Sequence, residues 1–462
     1  MEEENLIIHS KWNMASYSIG DFIMQTFAFT FTAYVFFFYE VEVGLDSWLV
    51  GLGFIIYTIW NAINDPLVGY ICDKTYRFTR RWGRRFPWIV SSMFPSILIY
   101  VLLYTPPEGN QMEIFIWLIF ATCLFDTTLS FWGVNSSALF PDKFRDLNER
   151  RTASGIKNAI GYLGIAFGAL VPPIIVGEGG RQGFIDQAWA LVIVTLIAGI
   201  FAIPGFREDK EYVERYIKKS ESLRETQTPP HFFKSFISAF KQKNFVAFVF
   251  LFLSYSVLRA CLLSSLQYGL MYILELPLSY STILMGAYLV ASLITIPLWV
   301  IWIKRKNDNR KIMIISSLMS ALFTIPMLFF SDLLSWIIIL ILWGIGIAGM
   351  FVAQSPVFGD IIDENVVLTK TRKEGLFNGF YVFILRFSTG IQAIIFASIH
   401  ELTGFVEGAE TQTEFAIFGL QIAMALIPSI LMVIGALVFW KYYDLTPEKS
   451  VTIRQQLNEI QI

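Results

Sequence analysis

The chain has 462 residues, of which 55% are hydrophobic and only 16% are charged, and its formal net charge is −2. A soluble domain carries roughly 25% charged residues, so a water-soluble fold of this size would expose too much apolar surface, and we expect lipid to be the solvent. The nearly balanced charge argues against a nucleic-acid or polyanion partner.

Twelve segments are apolar enough and long enough to cross a bilayer as helices, which requires about 20 residues each. Six precede a polar stretch and six follow it. We therefore predict an all-α integral membrane protein with an N-terminal six-helix bundle over 1–206, a cytoplasmic linker over 207–243, a C-terminal six-helix bundle over 244–441 and a cytoplasmic tail over 442–462. The predicted spans are 15–39, 48–71, 86–104, 113–135, 153–176, 187–206, 245–272, 281–303, 311–330, 333–353, 376–400 and 414–440.

Alternate loops hold most of the basic residues. Clusters follow the second, fourth, eighth and tenth spans, whereas the other loops are acidic and have only Arg181 as a basic residue. Because positively charged loops stay in the cytoplasm, we predict that the N- and C-termini are both cytoplasmic. The acidic start of the chain is unlike the start of a cleavable signal peptide.

Six plus six spans around a long cytoplasmic loop are typical of the major facilitator fold, in which two bundles rock around a site at the membrane midplane. Three loop motifs make the comparison more specific. They resemble, in the corresponding loops, motifs of the glycoside–pentoside–hexuronide:cation symporters, the melibiose permease family. The motifs are Asn64–Gly69 with Arg81–Trp88, Ser137–Pro141 with Asn148–Arg151, and Gly359–Asp363 with Thr371–Gly375.

The resemblance implies a monomeric, multi-pass transporter of the cell membrane that carries a sugar or glycoside together with H⁺ or Na⁺ by alternating access, without a cofactor. The alternative is a same-fold symporter of a lysophospholipid or another amphiphile, because Phe is abundant, with 43 residues, and few polar residues lie in the spans. An enzyme or receptor is disfavoured, since the sequence offers no catalytic cluster and no sizeable soluble domain. No G-x-x-x-x-G-K-[ST] loop is present, which argues against direct drive by ATP.

Ionisable residues inside the spans are costly unless paired or hydrated, so each is a functional candidate. Asp65 shares a helix face with Asn61, four residues earlier. By the resemblance these are the cation-binding positions, together with Asp21, which also binds sugar hydroxyls in the family. Asn61 replaces a second acid of the family, and this favours H⁺, because one desolvated carboxylate suffices for proton coupling. The competing interpretation gives Asp65 a hydrogen-bonding role at the Pro66 kink.

The fourth span offers three further candidates for substrate binding. The resemblance places Thr128 where the family has an Asp, and Asp126 lies two residues earlier, about 200° round the helix. Asp126 therefore reaches the same site only if the helix is rotated. Trp132 matches a family aromatic that stacks on a sugar ring, and packing within the bundle is its alternative role.

The C-terminal half contributes Arg386, which falls on a family Lys that interacts with the cation-site acids. Arginine retains the charge and adds a planar fork of donors. The same ungapped count places Phe351 and Gln354 on positions that bind substrate in the family, although aromatic residues in a Phe-rich chain more often serve packing.

Charged residues at the predicted cytoplasmic ends of the spans form a predicted gate. Acids and arginines there can pair between helices when the inner side is closed and separate when it opens. The basic residues alone are also explained as topology determinants, worth about 1 kcal/mol each near anionic lipid. The predicted gate residues are Asp73, Arg84, Arg85, Glu149, Arg150, Asp360, Asp363, Arg372 and Glu374.

Overall fold

The computed structural model describes residues 8–72, 76, 78–214, 217, 240–306, 308–370 and 374–460. Within these ranges every regular element is a helix, which agrees with the all-α prediction. Of the predicted gate, Asp73 and Arg372 lie outside the described residues, as does the side chain of Glu374.

Twelve helices in the described part of the chain are long and apolar enough to cross a membrane, which confirms the predicted number. Eleven of the predicted spans fall inside the observed helices, and the ninth runs two residues past the end of its helix. In chain order the helices are α1 Lys11–Glu42, α2 Ser47–Cys72, α3 Phe86–Tyr104, α4 Gln111–Lys143, α5 Asn148–Val176, α6 Arg181–Phe206, α7 Lys243–Tyr272, α8 Leu278–Lys306, α9 Asn309–Leu328, α10 Leu333–Thr369, α11 Gly375–Thr403 and α12 Glu414–Tyr442.

The chain divides into two compact units, Met1–Thr228 and Pro229–Ile462, with six of these helices in each. The division falls in the stretch predicted as a linker, most of which lies outside the described residues. The exact bounds of the linker and the cytoplasmic side of the termini stay predictions.

In the first unit, α1 packs closely against α5. A Cβ atom on Gly164 would collide with the carbonyl oxygen of Phe22, and one on Gly168 would lie 2.9 Å from the carbonyl oxygen of Thr26. The Thr26 hydroxyl donates to the Gly164 carbonyl oxygen at 3.0 Å. Small residues allow transmembrane backbones to approach in this way, where packing rather than the hydrophobic effect drives association.

In the second unit, small residues likewise allow close helix packing around α10. A Cβ atom on Gly346 would lie 2.7 Å from the Ser320 hydroxyl oxygen of α9. On the opposite contact, Trp299 of α8 donates its indole N–H to the Ile345 carbonyl oxygen at 2.8 Å. α10 therefore packs between α8 and α9, and its backbone lies close to side chains of both neighbours.

A further helix, α13, covers Pro447–Ile460 in the segment predicted only as a tail. Its Ile453 is buried in the apolar core of the second unit. Its Lys449 Nζ lies 3.1 Å from Glu364 Oε1 and 2.7 Å from Asp444 Oδ1. The tail segment is thus docked onto the unit by apolar contacts and by the ion pairs of Lys449.

We predict that Gly164→Ala destabilises the protein by roughly 1–3 kcal/mol, because the added methyl meets backbone that cannot rotate away. The thermal stability of detergent-solubilised protein, followed by size-exclusion chromatography after heating, measures this. Gly155→Ala is the matched control in the same helix, since a Cβ there meets nothing within 4 Å. Equal melting temperatures for the two variants would contradict the close α1–α5 contact.

Candidate functional site

The predicted cation positions occupy one face of α2 in the first unit. Asn61 and Asp65 are half-buried and one helical turn apart. The Asn61 amide nitrogen donates to the Tyr57 hydroxyl at 3.2 Å, one further turn away. The face thus carries a neutral oxygen and a carboxylate at consecutive turns.

Asp126 lies between α4 and α2. Its side chain is 6% exposed, and its Oδ2 accepts a hydrogen bond from the buried Asn64 amide at 3.1 Å. The Thr128 hydroxyl donates to the Phe125 carbonyl oxygen of its own helix at 2.9 Å. Trp132 has no exposed surface. Asp126 and Trp132 are therefore placed inside the first unit, and the predicted roles of all three α4 residues in substrate binding stay predictions.

Asp21 of α1 has a partner that the sequence analysis missed. Lys157 Nζ of α5 lies 3.5 Å from Asp21 Oδ1, and the two side chains are 30% and 18% exposed. The Lys157 ammonium also lies over the Phe140 ring, 5.1 Å from its centre. The sequence contained a signal for this partner, because Lys157 is an ionisable residue at the fifth position of a predicted span. The two side chains thus form a partly accessible ion pair.

In the second unit, α10 and α11 bring together Gln354 and Tyr381. The Gln354 amide nitrogen donates to the Tyr381 hydroxyl oxygen at 2.8 Å. Phe351, one turn before Gln354, is 47% exposed. Arg386 sits half-buried where α11 is interrupted, between helical segments Glu374–Leu385 and Phe387–Thr403. Broken transmembrane helices are frequent at binding sites of transporters.

One further intramembrane charge escaped the sequence analysis. Arg259 lies inside α7, which was predicted as a span over 245–272, and its side chain is exposed. An arginine in the middle of a span is itself the signal that identifies such a residue.

The predicted gate residues of the first unit are bonded within that unit. Glu149 Oε1 accepts a hydrogen bond from the His9 backbone N–H at 2.6 Å, and His9 Nδ1 lies 2.8 Å from the same oxygen. Arg85 donates to the Asn135 side-chain oxygen at 3.1 Å. Arg150 donates to the Phe144 carbonyl oxygen at 2.8 Å. Arg84 is half-buried nearby in sequence.

Two acids of the linker stretch belong to the same end of the unit. Glu208 Oε2 accepts hydrogen bonds from the backbone N–H groups of Arg85 at 2.7 Å and Phe86 at 3.0 Å. It therefore caps the start of α3, where unpaired N–H groups favour an anion. Asp209 Oδ2 lies 3.2 Å from His9 Nε2. Neither acid was singled out from the sequence, because their partners are distant along the chain.

In the second unit, the predicted gate acids lie near the end of α10. Asp360 Oδ2 accepts a hydrogen bond from the Asn309 side chain at 3.2 Å. Asp363 is half-buried. Glu364, which was not predicted, accepts hydrogen bonds from Asn244 at 2.7 Å and from Lys449 at 3.1 Å. Pairing of these acids with the basic loops of the first unit stays a prediction.

Comparison with known proteins identifies the family. A profile of the family described as MFS/sugar transport protein matches residues 16–446. The chain belongs to this family. Among relatives of this MFS/sugar transport protein, the sodium-dependent lysophosphatidylcholine symporter 1 of Gallus gallus is 24% identical, over 90% of this chain and 83% of that protein.

Other relatives and solved structures agree with that assignment. The sodium-dependent lysophosphatidylcholine symporter 1 of Mus musculus is 25% identical over 84% of this chain and 77% of that protein. The uncharacterized symporter sll1374 of Synechocystis is 22% identical over 96% and 95%. The nucleoside transporter NupG shares the fold with a TM-score of 0.65 at 14% identity, over 94% of this chain and 100% of that one.

This MFS protein is therefore a multi-pass transporter of the cell membrane with the major facilitator fold, as the loop motifs indicated. The relatives that carry functional names are symporters. The family description mentions sugar, whereas the named relatives move a lysophospholipid.

The His9 cluster gives a pH-dependent prediction. Hydrogen bonds to Asp209 and Glu149 raise the pKa of His9 above its ordinary value of 6.5, although burial and the nearby Lys143 oppose this. The hydrogen bond with His9 in turn holds the pKa of Asp209 below its usual range. A raised His pKa stabilises the fold fully below the ordinary value, and the gain is lost as pH rises through the raised pKa.

We therefore expect His9→Gln to lower thermal stability more at pH 6 than at pH 8, with a loss of roughly 1.5–3 kcal/mol at pH 6 for the charged hydrogen bonds. Melting curves of the purified protein at both pH values provide the measurement. Asp209→Asn should reduce the same pH dependence, and exposed Lys11→Gln should leave it intact. A His9→Gln penalty that is constant with pH would show that the ring is neutral in the cluster.

Proposed function

We propose that the chain is a Na⁺-coupled symporter of an amphiphilic solute with a charged headgroup, of the lysophospholipid class. The observation that carries the proposal is the similarity to sodium-dependent lysophosphatidylcholine symporters over 83–90% of this chain. Within the family this similarity favours the amphiphile over the sugar that the loop motifs first suggested.

The first unit gives physical support for an amphiphile. A sugar needs several accessible hydrogen-bonding groups, yet Trp132 has no exposed surface, Asp126 is bonded to Asn64, and Thr128 bonds its own helix. Asp21 and Lys157 are partly accessible, but each is paired with the other.

The α2 face offers ligands for Na⁺, the ion that the similarity to sodium-dependent symporters favours over the H⁺ expected from the sequence. Asp65 supplies one negative charge and Asn61 one neutral oxygen at adjacent turns. A single carboxylate with one Na⁺ leaves no net charge in the membrane interior, where an uncompensated charge is costly. The Asn61 amide oxygen adds a ligand that replaces water around the ion without adding charge. Cation binding at this face would therefore lower the free energy of the states that carry solute, which is the coupling that symport requires.

Uptake by cells that express the protein tests this proposal. Labelled lysophosphatidylcholine is offered in buffer with Na⁺ and in buffer with choline instead, and only the Na⁺-dependent fraction is counted, because lysolipid also enters bilayers unaided. Labelled glycosides and an imposed proton gradient form the parallel arms. Proton-driven glycoside uptake without Na⁺-dependent lysolipid uptake would replace the proposal with sugar transport.

Asp65→Asn should reduce Na⁺-dependent accumulation by at least about tenfold. A neutral amide cannot balance the charge of the ion, and the interaction of the carboxylate with Na⁺ is worth a few kcal/mol. Surface labelling checks that the variant still reaches the membrane. Asp186→Asn in α6 is the matched control, because that carboxylate receives its hydrogen bond from Gln182 at an exposed position. Undiminished accumulation by Asp65→Asn would remove Asp65 from the cation site.

A further inference from the structure

Arg259 is an intramembrane charge for which the described residues of the second unit supply no counter-ion. At 1.5 Å per residue, Arg259 lies about 24 Å from the first residue of α7 and about 20 Å from the last. Both distances exceed half of the roughly 30 Å hydrocarbon core, so neither end of the helix brings this residue to an interface. Arg259 forms no ion pair or hydrogen bond with any residue that the structure describes.

The surroundings of Arg259 are aromatic with two polar groups. Tyr255 lies one turn earlier on the same face of α7. The positive charge of Arg259 acts on the phenol of Tyr381 in α11. Tyr381 Oη accepts the hydrogen bond from Gln354 at 2.8 Å, so its own proton remains for another acceptor. Arg259 lies two turns along α7 from Phe252, which packs against Tyr381, so α7, α10 and α11 place a guanidinium near a phenol and an amide.

An apolar wall adjoins these polar groups. The Tyr381 ring packs against Phe248 at 5.4 Å and against Phe252 and Phe358 at 5.8 Å, measured between ring centres. The ring itself is buried and is therefore held in a fixed position. A buried donor beside an exposed guanidinium is suited to an anion whose remaining atoms are apolar.

The energetics favour a state in which Arg259 meets an anion, because an arginine at the centre of a membrane helix is costly unless it is paired or hydrated. A guanidinium presents a planar fork of N–H donors that fits the oxygens of phosphate or carboxylate. An anionic group on the solute removes the cost of the unpaired Arg259 charge only while the solute is bound.

We propose that Arg259, together with the Tyr381 hydroxyl, binds the phosphate of the transported amphiphile and selects solutes that carry an anionic group over solutes that lack one. The inference rests on the proposed function for the identity of the solute. The chemistry itself, an oxyanion against a guanidinium and a phenol O–H, holds equally for a carboxylate.

The test compares solutes that differ in the anionic group. Cells expressing the wild type, Arg259→Gln, Arg259→Lys or Tyr381→Phe take up lysophosphatidylcholine or monoacylglycerol of the same chain length. Arg259→Gln should raise the KM for the phosphate-bearing lipid by about tenfold or more, the effect of losing a charge-assisted hydrogen bond. Arg259→Lys should be intermediate, because it keeps the charge without the fork, and Tyr381→Phe should raise KM without changing surface expression.

Controls separate a role in binding from a role in folding. Arg305→Gln, an exposed basic residue at the end of α8, should leave KM unchanged. A purely structural role for Arg259 predicts lower surface expression and equal loss for both lipids, and that result would overturn the inference. Wild-type uptake that already favours the neutral lipid would overturn it as well.

A second pair of solutes keeps the inference distinguishable from the proposed function. If the wild type takes up glycosides and no lysolipid, the proposed function fails, and a glucuronide is then compared with the corresponding glucoside. Selective loss of glucuronide uptake in Arg259→Gln would still support Arg259 as the anion-binding residue. Equal effects on both sugars would reject it.

Discussion

The close approach of α1 to α5 is the contact on which the first unit's site depends. Because Gly164 and Gly168 carry no side chain, the two backbones meet at the Phe22 and Thr26 carbonyl groups. This contact fixes the axial register of the two helices, and Asp21 consequently lies opposite Lys157, about two turns from Gly164 along α5. Charge placement in this unit is therefore a result of helix packing, and the pair would separate if the helices slid by one turn.

The charges inside the membrane fall into two groups with different physical roles. Asp126 and the Asp21–Lys157 pair are compensated by protein groups and help to define the fold. Arg259 is exposed and receives no such compensation from the residues described. A transporter needs groups of the second kind, because a site that is already satisfied gains nothing when a solute arrives.

The sequence predicted the membrane architecture well, because hydropathy and loop charge report directly on contact with lipid. It underestimated α10, which continues 16 residues past the predicted end at 353, and missed α13, since polar helices outside the bilayer leave no hydropathy signal. The site was predicted only in part. Asp65 and Arg386 stood out as charges within apolar spans. The role of Lys157 is visible only once it is placed beside Asp21. The rotational orientation of α4 determines that Asp126 contacts Asn64.

The docking of α13 has a consequence for the order of assembly. A network of polar side chains in the second unit joins Asn244, at the start of its first helix, to Asp444 and to Glu364. Lys449 bonds to both of these acids. At a synthesis rate of about 5–20 residues per second, Asn244 is made roughly 10–40 s before Asp444. The second unit therefore cannot complete this network until Asp444 and Lys449 have been synthesised, long after its first helix.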